Sequence, residues 1–195
     1  IPTKILDYGC GYGSYMFAGK ELGFTMNGYD INKNFTENLS HHFETFKSQN
    51  ALLNDNNLRE YDLIFCRKVL TLSSNIYKDF RNFNDLLSSN GCLVVMDQVK
   101  NISKYKTIIS QNNSNTLLLT IETLKFYANI FKFSTKYLKN DFGDIFIIFE
   151  RNNKIFSNKK ISIKILENLE KLNFIFLLLS KIKRLFKKIY YGFKS

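Results

Sequence analysis

Ile5-Leu6-Asp7-Tyr8-Gly9-Cys10-Gly11-Tyr12-Gly13 is the first readable unit of the chain. An apolar run enters three glycines at alternate positions, and the mixed stretch 14–22 behind them carries a helical pattern. A strand that turns through glycines into a helix is how a nucleotide-binding βα unit begins. Glycine is needed where the backbone takes positive φ and where a ligand must come close with no Cβ in the way. The loop is therefore built to hold a ligand.

The spacing and the flanking acid narrow the ligand. A dinucleotide site prefers GxGxxG, with a pyrophosphate on the helix N-terminus. Here the spacing is GxGxG and Asp7 stands just before it. A carboxylate repels phosphate charge but suits a cationic amine and sulfonium, which favours S-adenosylmethionine over NAD. Gly28-Tyr29-Asp30 closes the next β-prone run, 17 residues beyond Gly13. There the Asp30 carboxylate can accept hydrogen bonds from both hydroxyls of a ribose, and Ile31 can lie against an adenine ring.

Outward from this unit, short apolar runs alternate with longer mixed stretches, as expected of βαβ units around a parallel sheet. Strands are expected near 4–8, 24–30, 51–54, 61–66 and 92–97, and helices over 14–22, 33–47, 76–89 and 118–131. Segments 132–139 and 144–150 flank Asn140-Asp141-Phe142-Gly143, a turn between two β-prone runs, so the sheet is expected to finish in an antiparallel hairpin. The chain is expected to divide into a core domain over 1–153 and a tail over 154–195.

Four motifs in this order resemble those of the class I S-adenosylmethionine-dependent methyltransferases. They are Leu6–Gly13, Gly28-Tyr29-Asp30, Tyr61-Asp62-Leu63-Ile64-Phe65-Cys66 before Val69-Leu70, and Leu86-Leu87 to Gly91-Cys92-Leu93-Val94-Val95. The resemblance covers about residues 4–151. It implies an α/β Rossmann-like sheet of order 3-2-1-4-5-7-6, with S-adenosyl-L-methionine as cofactor. Asp7 and the backbone of Gly9 and Gly11 would meet the methionine moiety, Asp30 the ribose and Asp55 the adenine amino group; Cys10, Gly13, Ile31 and Cys66 complete the implied cofactor-binding set. The family's helix before the first strand is not present here, and the chain reads as a fragment that begins after it.

The acceptor is less defined. In an open α/β sheet it lies beyond the carboxyl ends of the middle strands, which offers Arg67, Lys68, Asp97 and Gln98. Asp97 is the candidate catalytic base or ligand of an acceptor hydroxyl. No Asn/Asp-Pro-Pro-aromatic motif follows Phe65-Cys66, which disfavours methylation of DNA amino groups. Small-molecule, sugar and lipid-linked acceptors stay open, as does a non-catalytic scaffold module of a larger protein; a nucleotide-dependent oxidoreductase is disfavoured by the glycine spacing.

The net charge of +11 is uneven. Residues 154–195 carry +9 and residues 1–153 only +2, so the basic character belongs to the tail. Apolar residues at 174, 175, 178, 179, 182, 185, 186, 189 and 190 mark one face of a helix whose other face carries Lys181, Lys183, Arg184, Lys187 and Lys188. This C-terminal basic amphipathic helix is too short in its apolar part to span a bilayer, and it suits an anionic membrane surface or a partner protein. Its aromatics lie on the apolar face, not among the charges, which disfavours nucleic acid. Cys10, Cys66 and Cys92 lack metal-ligand or disulfide spacing, pointing to a reducing cytoplasmic setting and no metal. The adjacent His41 and His42 are expected on the surface of a helix.

Overall fold

The computed structural model describes residues 3–54, 57–58, 60–98, 119–141 and 144–151. β1 (Lys4–Tyr8), α1 (Ser14–Glu21), β2 (Thr25–Tyr29), α2 (Lys33–Leu39), β3 (Glu44–Phe46) and the single-turn α3 (Gln49–Leu52) form the first half. β4 (Tyr61–Arg67), α4 (Ile76–Leu86), β5 (Leu87–Gln98), α5 (Ile121–Ile130), β6 (Phe133–Asp141) and β7 (Asp144–Arg151) form the second. The sheet order is β3-β2-β1-β4-β5-β7-β6. Its first five strands run parallel, and β7 is antiparallel to both β5 and β6. This is the strand order that the resemblance implies, closing hairpin included.

Side chains of a strand alternate between the faces of its sheet, and both faces here are covered. Leu6, Tyr8, Ile64, Cys66, Leu93 and Val95 pack on one side with Phe80, Phe83 and Leu86 of α4 and Leu124 and Ala128 of α5. Ile5, Leu63, Phe65, Cys92 and Val94 pack on the other with Tyr15 and Met16 of α1 and Leu39 of α2. Asp7, buried at the end of β1 between Leu6 and Tyr8, belongs by this alternation to the α1 side, whereas Tyr8 faces α4. The two faces thus bring different chemistry to the same strand end.

Three expected segments are corrected. The helix expected over 33–47 stops at Leu39, and its last part contains β3. Phe35, Leu39, Phe43 and Phe46 keep a helical rhythm through the break, but Ser40-His41-His42 make a turn and Phe46 enters the core from a strand. His41 and His42 are therefore exposed in a turn, not on a helix. The strand expected at 51–54 is replaced by α3, which Ser48 caps by accepting the Ala51 N–H at 3.2 Å. The helix expected over 76–89 ends at Leu86, because Leu87 already pairs with Tyr61 as the first residue of β5. The basic amphipathic helix of the tail lies outside the described residues.

Candidate active site

The loop between β1 and α1 wraps over the carboxyl end of β2. The N–H groups of Gly9 and Cys10 both donate to the Tyr29 carbonyl, at 2.7 and 3.0 Å. Gly9 sits at φ 87, and a Cβ on it would lie 2.2 Å from Cγ2 of Val69, in the loop after β4. Its glycine is thus set by packing as well as by backbone. Gly11, at φ 52, has no atom within 4 Å of where a Cβ would be, so nothing in the protein fills the space beside it. Its N–H donates to Oδ2 of Asp30 at 2.9 Å, and the N–H of Asn32 donates to Oδ1 at 2.9 Å. The Asp30 carboxylate is thereby fixed in place, and each oxygen keeps lone-pair capacity for a further donor.

Asp7 is 3% exposed. Burial raises its carboxyl from 3.8 to about 7; the Arg67 guanidinium opposes the rise and Asp30 adds to it. Arg67 lies 4.9 Å over the ring of Tyr15. Cys10 is buried beside these acids, and burial, with Asp7 and Asp30, pushes its thiol up to about 12. A thiol held in that state is not a nucleophile at neutral pH.

A cavity of about 740 Å³ opens at the carboxyl ends of β1, β2 and β4. Tyr8, Tyr29, Asp30 and Ile31 form one side, and Ile31 is 85% exposed there. Lys47-Ser48-Gln49, Arg67-Lys68-Val69 and the segment from Leu72 into α4 form the rest. The size is within the range of small-molecule clefts. Across its wall runs a polar network. Nε2 of Gln49 donates to the Tyr8 hydroxyl at 3.0 Å, which donates to Oδ1 of Asp79 at 2.8 Å. The Ser73 hydroxyl donates to Oδ2 of the same carboxylate. Burial raises the Asp79 carboxyl above its ordinary range, against the lowering effect of those two hydroxyls. None of this network was anticipated from sequence; the one available signal was a tyrosine, not an aliphatic residue, between Asp7 and Gly9.

The remaining expected site residues divide. Gly13 is at the N-cap of α1, with Leu39 packed over it. Cys66 is fully buried in the core, and burial pushes its thiol well above the ordinary value. Asp97 is buried as well, accepting from Thr71 N at 3.2 Å, Thr71 Oγ1 at 2.9 Å and Gln98 N at 2.8 Å. It anchors the 3₁₀ turn Leu70–Leu72 and does not line the cavity. Asp55 lies outside the described residues. Because the third strand ends at Phe46, the segment that leaves its carboxyl end and meets the cavity is Lys47-Ser48-Gln49.

The sequence matches the model of a methyltransferase domain over residues 2–145. The chain belongs to this methyltransferase family. Solved structures with the same fold include an S-adenosylmethionine-dependent methyltransferase from Archaeoglobus fulgidus, 16% identical over 77% of this chain and 86% of that one, with a TM-score of 0.61. An S-adenosylmethionine-dependent methyltransferase from Mesorhizobium loti is 12% identical over 76% of this methyltransferase and 90% of its own chain, TM-score 0.60. The 1,6-didemethyltoxoflavin-N1-methyltransferase of Burkholderia thailandensis, solved with 1,6-didemethyltoxoflavin and S-adenosylhomocysteine bound, is 12% identical over 78% and 72%, TM-score 0.59. At such identities the likeness is one of fold. A search of curated proteins finds no match.

Proposed function

We propose that this methyltransferase binds S-adenosyl-L-methionine and transfers its methyl group to a small-molecule, sugar or lipid-linked acceptor. The observation that carries the reading is the pairing of Gly11 with Asp30 across the ends of β1 and β2. A loop with open space at Gly11 and a fixed carboxylate facing the cavity suits a nucleoside whose ribose hydroxyls donate to Asp30. Ile31, exposed on the cavity wall, supplies an apolar surface for the base. Asp7, buried and free of phosphate-binding chemistry, suits a cationic amino acid moiety and opposes a pyrophosphate. Among the described residues no group of acids, histidines and cysteines fits a metal ion.

The cofactor, when bound, supplies an electrophilic methyl on a sulfonium. The protein's part is alignment, since an in-line displacement depends on holding two reactants in register. Val69, in the loop after β4, is docked against Gly9 and forms the wall between the cofactor side and α4. Asp97, with its oxygens committed to Thr71, supports this loop from beneath; a base role for it requires that turn to open.

The alternative of a non-catalytic scaffold is disfavoured by the open cavity beside an intact glycine loop. We further propose a cytoplasmic setting with peripheral membrane association through residues 174–190, supported by the amphipathic pattern and basic charge of that segment. Titration of the full chain with S-adenosylhomocysteine tests the cofactor. Binding at one site supports the reading, and its absence refutes it.

A further inference from the structure

The charge around the cavity exceeds what the cofactor needs. Lys33, Lys47, Arg67, Lys68 and Lys78 line it, against Asp30 and Asp79. Three of the five cations are engaged: Lys47 pairs with Glu37 at 3.0 Å, Arg67 lies over Tyr15 and faces Asp7, and the charge of Lys78 acts on the Asp79 carboxylate. Both acids are engaged too, Asp30 by two backbone N–H groups and Asp79 by Tyr8 and Ser73. Lys33, Lys68 and Lys78 form no salt bridge among the described residues. S-adenosylmethionine carries an amine, a sulfonium and a single carboxylate, so its own net charge is positive. A surplus of lysine at the mouth opposes that cofactor and serves a different ligand.

Lys68 stands out among the three by its backbone. It is one of two described non-glycine residues with positive φ, at 55°, and its N–H donates to the Met96 carbonyl at 2.8 Å. A left-handed lysine is strained, and such strain persists where the surroundings over-determine it, often at ligand sites. Here the surroundings are visible. Val69 is locked into the Gly9 notch and β5 holds the Lys68 N–H, so the side chain leaves a rigid turn at the cavity wall. Lys78 reaches the same cavity from the first turn of α4, beside the Ser73 and Ser74 hydroxyls.

We propose that the methyl acceptor carries an oxyanion, a phosphate or a carboxylate, which Lys68 and Lys78 hold at the mouth of the cavity while the nucleophilic atom enters it. This deepens the methyltransferase reading and rests on it. A lysine is a point charge without a preferred plane, so the pair recognises the charge and leaves the rest of the acceptor to the walls.

The test uses the full chain at low ionic strength, where the attraction is least screened. Calorimetry first measures S-adenosylhomocysteine alone, then inorganic phosphate and, in a separate arm, succinate added to the loaded protein. The stronger of the two arms identifies the oxyanion. The double variant Lys68→Asn, Lys78→Gln keeps a residue that tolerates left-handed backbone at position 68. It should weaken the anion by about tenfold or more, the loss expected of charge-assisted contacts, while S-adenosylhomocysteine weakens by less than about threefold. Lys125→Gln on α5, outside the cavity, should leave anion binding as in the wild type. The proposal is overturned if neither anion binds saturably, if the double variant binds as well as the wild type, or if cofactor affinity falls in step with anion affinity. A wild-type chain that ignores S-adenosylhomocysteine in the first titration overturns the cofactor reading itself, and this proposal with it.

Discussion

Asp7 ties burial to pH in a way that can be measured. Its folded carboxyl titrates near 7 and its unfolded one near 3.8, so the folded chain holds a proton that the unfolded chain releases between those values. Stability therefore falls as pH rises through that window and levels off above 7, a cost of roughly 4 kcal/mol. Asp7→Asn should remove this slope, leaving a variant more stable than the wild type at pH 8 but not at pH 4, as read by denaturant unfolding. A cationic ligand favours the ionised form, so the affinity for S-adenosylmethionine should rise between pH 6 and 8 in the wild type and stay flat in Asp7→Asn. The glycines separate packing from binding. Gly9→Ala meets Val69 and should destabilise the fold by about 2 kcal/mol or more in thermal or chemical unfolding. Gly11→Val places its Cβ where no protein atom lies within 4 Å; it should lose S-adenosylhomocysteine binding at a backbone strain of about 1–2 kcal/mol. These local residues were legible in sequence because strand, loop and acid are contiguous. The Gln49–Tyr8–Asp79–Ser73 network was not, since its partners lie 41 and 71 positions from Tyr8 and meet only when the sheet forms.

β1, β2, β4, β5 and the β6–β7 hairpin could be read from apolar runs bounded by turn residues, and the family resemblance supplied their order. β3 could not. It has three residues, Glu44-Thr45-Phe46, and its one buried side chain falls in phase with the helical spacing of Phe35, Leu39 and Phe43, so period alone extends the helix. The N-cap serine at 48 was the better clue, since it marks α3 where a strand was expected. With β3 ending at Phe46, Lys47-Ser48-Gln49 follow it into the cavity wall. The end of β7 carries a fastening that sequence does not announce. Arg151 of β7 donates from Nη1 to Asn84 Oδ1 at 2.8 Å, from Nη2 to the Leu87 carbonyl at 2.9 Å and from Nε to the Ser88 carbonyl at 3.2 Å. It joins the last strand to the junction of α4 and β5. Arg151→Ala leaves those acceptors partly buried and should cost about 1–3 kcal/mol in unfolding free energy, with S-adenosylhomocysteine affinity unchanged in the folded fraction.

The net charge of the whole molecule is +2 over residues 1–153 and +9 over residues 154–195, and each part carries its own expectation. If residues 174–190 lie on a membrane surface, vesicles containing anionic lipid should pull down the full chain, rising salt should release it, and removal of 160–195 should abolish capture. Failure to bind such vesicles at low salt contradicts that proposal and leaves the core untouched. For residues 2–145 the fold and family establish a methyltransferase domain, and the cofactor site proposed above centres on Asp30. The most direct measurement is calorimetric titration of the full chain and its Asp30→Ala variant with S-adenosylhomocysteine, with NADH as a control. The expected result is saturable binding at a single site, weakened in the variant by at least about 1.5 kcal/mol, the scale of hydrogen bonds to a charged acceptor, and no binding of NADH. Equal affinity of the two proteins for S-adenosylhomocysteine, or binding of NADH in its place, would contradict the account.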